Sequence, residues 1–358
     1  MRKLLLSVLV VICSATFAQK QTLELNQLMT NPNLRPQSLY QLYWWNNQSV
    51  IYQKANEVQL IDFATKAKST LFSLKDLNEA MKNAGFDEFK ALPRFRVDST
   101  FVTFVADFRW LQFDPVSKSI ELLSSIPDNA KNIEVFYPAK QVAYTTGNDN
   151  ELVLLNDNIK LRVALAEQDG IKNGVAVHRN EFGINKGIFF SPDGQYLAYY
   201  TMDESMVTNY PLVDINAHVA TVKNDRYPMA GMRSHNVRVG TFNATNFRGV
   251  LMRSTFDRET YQTNVSWSPD SKAIYIAMVT RDQKTMNLRE YDPMSGLFVK
   301  ELFQETSPRY VEPMNPMLFI PSNPNLFVWQ SQRDGYNHIY LYNTDGKLIR
   351  QITQGEWV

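Results

Sequence analysis

Few residues in this chain have the type and spacing that chemistry requires. Its four histidines are His178, His218, His235 and His338, and no Gly-x-Ser-x-Gly turn is present to set a nucleophilic serine beside any of them. No histidine–carboxylate spacing suggests a metal, so neither a metal site nor a cofactor is expected. Asp203-Glu204 is a carboxylate pair of the kind used in acid–base work. It follows the strand-like Tyr196-Leu197-Ala198-Tyr199-Tyr200, and adjacent strand residues point to opposite faces. An edge or domain-contact role is therefore expected for the pair. His338 follows the turn Arg333-Asp334-Gly335 and reads as structural. What remains is Arg109, inside Phe108-Arg109-Trp110, and the run Arg179-Asn180-Glu181. An arginine on a strand commonly covers an aromatic neighbour. By composition alone, Glu181 is a solvated loop residue paired with Arg179. These residues can hold charge, and none is set to make or break a bond.

The elements that must position them repeat one phrase. Ser191-Pro192-Asp193-Gly194-Gln195-Tyr196-Leu197-Ala198-Tyr199 reads as a tight turn and an aromatic-rich strand, and Trp267-Ser268-Pro269-Asp270-Ser271-Lys272-Ala273-Ile274-Tyr275 says it again. Looser echoes begin at Tyr137-Pro138 and Pro321-Ser322. Six such strands start near Ile51, Val102, Val142, Leu197, Ile274 and Phe327, at intervals of 51, 40, 55, 77 and 53 residues. Each leads to a second strand closing on Asp or Asn, as in Val58-Gln59-Leu60-Ile61-Asp62 and Ile339-Tyr340-Leu341-Tyr342-Asn343. A recurring unit of this size in an all-β pattern predicts a β-propeller of about six blades. A β-sandwich gives no such regular phrase. One helix is predicted, over Leu74 to Ala84, with Leu74, Leu77 and Met81 on one face, as a short insertion. Two stretches break the repeat, Gly174 to Gly187 and roughly Met202 to Val239. Insertions in repeat proteins carry the binding face.

Composition bounds the rest. Lys+Arg 37 against Asp+Glu 36 leaves no electrostatic footprint for nucleic acid. Met1-Arg2-Lys3, the apolar run from Leu4 to Cys13 and the small residues before a cut after Ala18 read as a secretory signal peptide over residues 1–18. Ile12 before Cys13 argues against a lipid anchor. Without the signal the chain has 35 basic and 36 acidic residues and no cysteine, which suits a bacterial periplasm. The three sequons, at Asn47, Asn243 and Asn264, read as accidental.

At the two breaks the chain resembles exopeptidases of the dipeptidyl peptidase IV type in the prolyl oligopeptidase class, and above all bacterial prolyl tripeptidyl peptidases. The matching segments are Val177-His178-Arg179-Asn180-Glu181-Phe182-Gly183-Ile184, Met202-Asp203-Glu204-Ser205-Met206-Val207, Tyr227-Pro228-Met229-Ala230-Gly231 and Ser331 to Tyr342. The ending, Ile352 to Val358, also reads like an internal segment of that family. The resemblance runs from about residue 40 to the end, after a lead-in over 19–39, and these motifs in this order are specific. It implies an N-terminal propeller, eight-bladed in dipeptidyl peptidase IV, joined to a C-terminal α/β-hydrolase domain with a Ser-Asp-His triad. On that view this chain is an incomplete propeller over 40–358, its catalytic half missing, and it is inactive alone.

The resemblance further implies that a propeller segment holds the substrate's free amino terminus with glutamate, and Glu181 sits at the matching place. Dipeptidyl peptidases offer two adjacent glutamates there. This chain offers Arg179-Asn180-Glu181, with a single carboxylate, which favours release of proline-containing tripeptides over dipeptides. Asn180, Arg179 and Arg109 are further expected substrate contacts. The expected partners are peptides with a free N-terminus, the chain's own hydrolase domain and, as a possible assembly, a homodimer. The alternative is a non-catalytic periplasmic propeller that binds peptides or a protein partner.

Overall fold

The repeated phrase folds into one kind of turn. The Ser191 hydroxyl donates to Asp193 Oδ1 at 2.6 Å and accepts the Tyr196 N–H at 2.9 Å, and Asp193 Oδ1 also accepts the Gln195 N–H at 2.9 Å. Ser268 repeats the pattern, donating to Asp270 Oδ1 at 2.7 Å and accepting the Ala273 N–H at 2.9 Å. The left-handed position that each turn needs is filled by Gly194 at φ 70° in the first and by Ser271 at φ 61° in the second. In the looser echo, Tyr137–Ala139 makes a single 3-10 turn closed by Lys140 at φ 47°. These turns start the strands on which the rest is built. The structure, a computed structural model, describes residues 24–31, 34, 39–98, 100–156, 159–254 and 259–356. The predicted signal peptide and the terminal Trp357-Val358 lie outside them.

The chain divides into two units. The first holds helix α1 (Leu25–Thr30), then a sheet of β1 (Tyr40–Asn46), β2 (Ser49–Lys54), β3 (Glu57–Asp62) and β4 (Lys68–Ser73), then helix α2 (Leu74–Asn83) at its boundary. The short α1 is not anticipated by the sequence reading, and it buries no side chain. Helix α2 is the predicted one. Leu77, Ala80 and Met81 are buried, while Ser73 and Asp76 cap the start by exchanging side-chain-to-backbone bonds at 2.8 and 3.2 Å.

Among the described residues the second unit carries five blade-type sheets and a two-stranded hairpin. The first two sheets are β5 (Arg96–Asp98) to β8 (Ser119–Ser125) by way of β6 (Phe101–Ala106) and β7 (Arg109–Asp114), and β9 (Lys131–Phe136), β10 (Gln141–Thr146), β11 (Glu151–Asn156) and β12 (Ile159–Leu165). The next contains β13 (Ile171–Asn173), β14 (Ile188–Phe190) and β15 (Tyr196–Asp203), followed after a separate hairpin of β16 (Asn209–Asp214) and β17 (Thr221–Arg226) by β18 (Asn236–Asn243) and β19 (Arg248–Leu251). The last two are β20 (Tyr261–Trp267), β21 (Ile274–Val279), β22 (Thr285–Tyr291) and β23 (Phe298–Thr306), and β24 (Leu318–Ile320), β25 (Asn323–Ser331), β26 (His338–Asn343) and β27 (Leu348–Gln351). Neighbouring strands pair antiparallel. With the sheet of the first unit this makes six blade-type sheets, and the fold is an all-β propeller. The six expected strand starts all fall on the second strand of a sheet: β2, β6, β10, β15, β21 and β25.

Burial explains why those strands were the legible ones. All six residues of β10 and of β21 are buried; β21, Ile274 to Val279, reads as a continuous apolar run, and β10 carries an apolar centre, Val142-Ala143-Tyr144, between polar ends. Outer strands such as β8 and β23 alternate with solvent. Within the second unit the sheets are joined by side chains that interdigitate. Trp110 packs with Val142 and Tyr144, and Leu152 and Leu154 pack with Leu197 and Phe242. The largest cluster runs from Tyr200 and Val239 through Ile276 and Leu288 to Trp329 and Tyr342.

Candidate functional site

The first break in the repeat is a loop pinched at its root. Strands β13 and β14 both pair with one edge of β15, with Asn173 opposite Thr201 and Ile188 opposite Tyr199. Tyr200, between them, fastens both ends of the loop. Its carbonyl accepts the Gly174 N–H at 2.8 Å and its N–H donates to the Gly187 carbonyl at 3.0 Å. The loop then turns inward. Val175, Val177, Phe182 and Ile184 are buried in the large core cluster, which leaves Arg179, Asn180 and Glu181 at the surface.

The backbone between Val177 and Phe182 is unusual. His178, Arg179 and Asn180 have φ of 51°, 52° and 64°, and Phe182 follows at 56°. Each non-glycine residue in this region costs about 1–2 kcal/mol, asparagine less, so the surroundings must hold the turn in place. Three backbone bonds close it: Asn180 N–H to Val177 O, Glu181 N–H to His178 O and Ile184 N–H to Glu181 O, each at 3.1 Å. Asn264 Nδ2 donates to the Phe182 carbonyl at 3.4 Å, which agrees with reading its sequon as accidental, since the side chain is buried.

Arg179 does not pair with Glu181. Its guanidinium donates to the Arg226 carbonyl at 2.7 Å, lies 3.5 Å from Asp225 and sits 4.3 Å over the Tyr227 ring. These three residues are the root of the β16–β17 hairpin, so the two breaks in the repeat meet each other. Arg226 is fixed in turn by the carbonyls of Glu204 and Ser205, at 3.0 and 2.9 Å, and by Asp169 at 2.7 Å. Glu181 is exposed, and among the described residues no hydrogen bond or ion pair engages its carboxylate. It is close enough to Tyr261 to help raise that phenol's pKa, after burial as the main cause.

The other sequence candidates lie apart. Asp203 Oδ1 accepts the Ser205 N–H at 2.9 Å, while Glu204 forms an ion pair with Lys172 at 2.8 Å. The two carboxylates serve different partners, and no acid–base pair forms. Arg109 opens β7, in another sheet, with its guanidinium 5.5 Å from the centre of the Phe86 ring. His338 is buried between Thr353 Oγ1 at 3.2 Å and the Gly355 carbonyl at 2.9 Å, a structural place.

Sequence reasoning passed over His178 and His235. Both are buried, and His178 Nδ1 lies 2.9 Å from His235 Nε2. Burial pushes the His178 pKa well below the ordinary value, with His235 adding to the effect. Burial, with Arg179 and Arg281 nearby, brings His235 down to about 4. Both rings are therefore neutral near pH 7. One signal was legible: each histidine stands inside or beside one of the two breaks.

Comparison with known proteins agrees with this architecture. The family model described as "Dipeptidyl peptidase IV (DPP IV) N-terminal region" matches residues 81–358. Dipeptidyl peptidase 4 of Felis catus is 23% identical over 360 residues, covering 89% of this chain and 45% of that protein. The same-named protein of Trichophyton tonsurans is 26% identical over 232 residues, or 60% of this chain and 29% of that one. Among solved structures, a Bacteroides ovatus protein regarded as a dipeptidyl aminopeptidase IV superposes with a TM-score of 0.75 at 35% identity, over 89% of this chain and 47% of that one. Porphyromonas gingivalis dipeptidyl peptidase 4 gives a TM-score of 0.73 at 18% identity, over 94% of this chain and 50% of that one, a likeness of fold. The chain thus spans about half the length of these two structures. Blade-type sheets, a pinched loop in the repeat and a family match over most of the chain converge on one conclusion: this chain belongs to the dipeptidyl peptidase IV N-terminal region family.

Proposed function

We propose that this chain is the substrate-gating propeller of a periplasmic serine exopeptidase, and that Glu181 receives the free amino terminus of the peptide. The observation that carries the reading is the state of Glu181. It is an exposed carboxylate on a strained, firmly held turn, and the arginine two residues away is committed elsewhere. A peptide α-ammonium is a compact cation that such a carboxylate can bind with a charge-assisted hydrogen bond. A fixed carboxylate is also a ruler, since only a chain starting at the right distance from the scissile bond fits. The relatives are named as dipeptidyl peptidases. The single glutamate in Arg179-Asn180-Glu181 favours tripeptide release for this one. Asn180, exposed beside Glu181, is kept as a substrate contact, whereas Arg109 lies in another sheet, over Phe86, and is not. Arg179 acts by holding the turn. The hydrolase domain would supply the nucleophile.

The test is Glu181→Gln in the enzyme that carries this chain. Glutamine keeps the shape and loses the charge. The expected loss in kcat/KM on peptides with a free amino terminus is about 30- to 1,000-fold, or ~2–4 kcal/mol. N-acetylated peptides, poor to begin with, should hardly change. Equal losses on both would make Glu181 structural, and no loss on either would place the amine elsewhere. The 358-residue chain alone should turn over neither. Export is tested separately: the mature N-terminus, read by mass spectrometry on periplasmic protein, should begin at Gln19.

A further inference from the structure

His178 and His235 come from the two segments that interrupt the repeat, and the recognition step leaves both unused. The Gln262 N–H donates to His178 Nε2 at 3.3 Å, which makes that nitrogen an acceptor. A neutral His178 then carries its proton on Nδ1 and donates it to His235 Nε2, 2.9 Å away. His235 must hold its own proton on Nδ1. The bonds form one directed chain, from the Gln262 backbone through His178 to His235, and it persists only while both rings are neutral. The edge of Tyr261 meets the His178 ring with 4.9 Å between centroids, and Phe182 closes another side at 6.5 Å. Arg179 and Arg281 lie on the His235 side, and Arg281 pairs with Glu259 at 3.0 Å. Glu181 and Glu259 bear on Tyr261.

The two ends of this chain differ in how they are held. His235 precedes Asn236, which pairs with Asp203 in the sheet. The segment before it is pinned as well: Ser234 N–H donates to Glu259 at 3.0 Å, and Arg281 donates to the Met232 carbonyl at 2.9 Å. His178 is the first residue of the left-handed turn, and the Glu181 N–H bonds to its carbonyl. A fixed ring therefore grips the residue from which the strained turn departs. We infer that the His178–His235 pair is a latch that holds this turn and thereby sets the Glu181 carboxylate for the substrate ammonium, a positioning role that rests on the reading of Glu181 given above.

Two measurements on three variants decide it. His235→Leu removes the acceptor, and His235→Gln restores one at the place of Nε2. His178→Phe keeps a ring and loses both bonds. The first measurement is hydrogen exchange in the enzyme that carries this chain, with no substrate added. In His235→Leu and His178→Phe the Asn180 and Glu181 amides should exchange at least about tenfold faster, with strands β21 and β22 unchanged, and His235→Gln should return them toward wild type. The second is kinetics in the enzyme that carries the chain. His235→Leu should raise KM for free-amine peptides about tenfold with kcat within about twofold, leave N-acetylated peptides unaffected, and be rescued by His235→Gln. Unchanged exchange at Asn180 and Glu181 would overturn the latch. Faster exchange with equal losses on free and blocked peptides would overturn its positioning role. A silent Glu181→Gln would sink the reading of Glu181 by itself, and the exchange data would still decide whether the pair holds the turn.

Discussion

Gly183 is held at φ 70°, and a Cβ there would come within 2.1 Å of the Met314 carbonyl oxygen. The backbone of a neighbouring segment cannot retreat as a side-chain tip can. Gly183→Ala should therefore destabilise the protein by about 2–4 kcal/mol, read as a fall in the denaturant midpoint at unchanged slope. The buried histidines make a second residue-scale prediction. His235 titrates near 6.5 when unfolded and at about 4 when folded. Between those values the unfolded state binds more protons, so stability falls as pH drops from about 6.5 to 4. The loss attributable to His235 is of order 3 kcal/mol. His178, also held low by burial, acts in the same direction. His235→Gln should flatten this part of the stability–pH curve, and an unaltered curve would mean that the rings are not buried neutral. Glu181 itself was singled out by resemblance, since its composition and neighbours read as solvated. Its freedom from Arg179 needed the fold, because the competing partners Asp225, Arg226 and Tyr227 lie some 46 residues away in sequence.

At the scale of elements, the segment Ser331 to Tyr342 is held by a buried carboxylate. Glu305 on β23 accepts from Trp329 Nε1 at 2.8 Å and Ser331 Oγ at 2.8 Å, and it pairs with Arg333, which also donates to the Tyr342 hydroxyl. The Arg333 guanidinium lies 4.4 Å over Tyr340. Burial works against its charge, but Glu305 and Tyr342 more than offset this and hold its pKa above the ordinary value. Glu305→Gln leaves a half-buried cation without its counter-charge. A cost of about 2–4 kcal/mol is expected, with the loosening confined to β23, β25 and β26 in hydrogen exchange. Replacing Arg333 together with Glu305 by apolar residues should cost less than Glu305→Gln alone. The motif was legible as a repeat unit, whereas its anchor on a strand of the preceding sheet was not, because a side-chain contact between two sheets leaves no local spacing to read.

At the scale of the whole molecule, the β16–β17 hairpin stands as a two-stranded sheet of its own. Every residue of β16 is exposed, and Ile215 at its tip is 86% exposed. Leu212, Val213, Val219 and Val222 add apolar surface. We propose this surface as the contact through which two copies of the chain would pair. Sedimentation should show Ile215→Asp combined with Val219→Asp shifting the wild-type assembly to monomer, and a wild type already monomeric at micromolar concentration would refute the pairing. The hairpin root holds Arg179, so pairing through the hairpin would act on the same turn that carries Glu181.

The sequence by itself determined the repeat. The all-β class, six strand starts, the helix at Leu74 and the two breaks were all readable, because each depends on local rules: alternation, a Ser-x-Asp turn and an amphipathic face. Only the tertiary structure decided what the breaks do. It brought His178 against His235 across 57 residues and Arg179 against Arg226 across 47. It also forced a left-handed turn on residues whose own preferences oppose it. Local propensity cannot anticipate such a turn, since the energy that holds it comes from partners that only folding supplies.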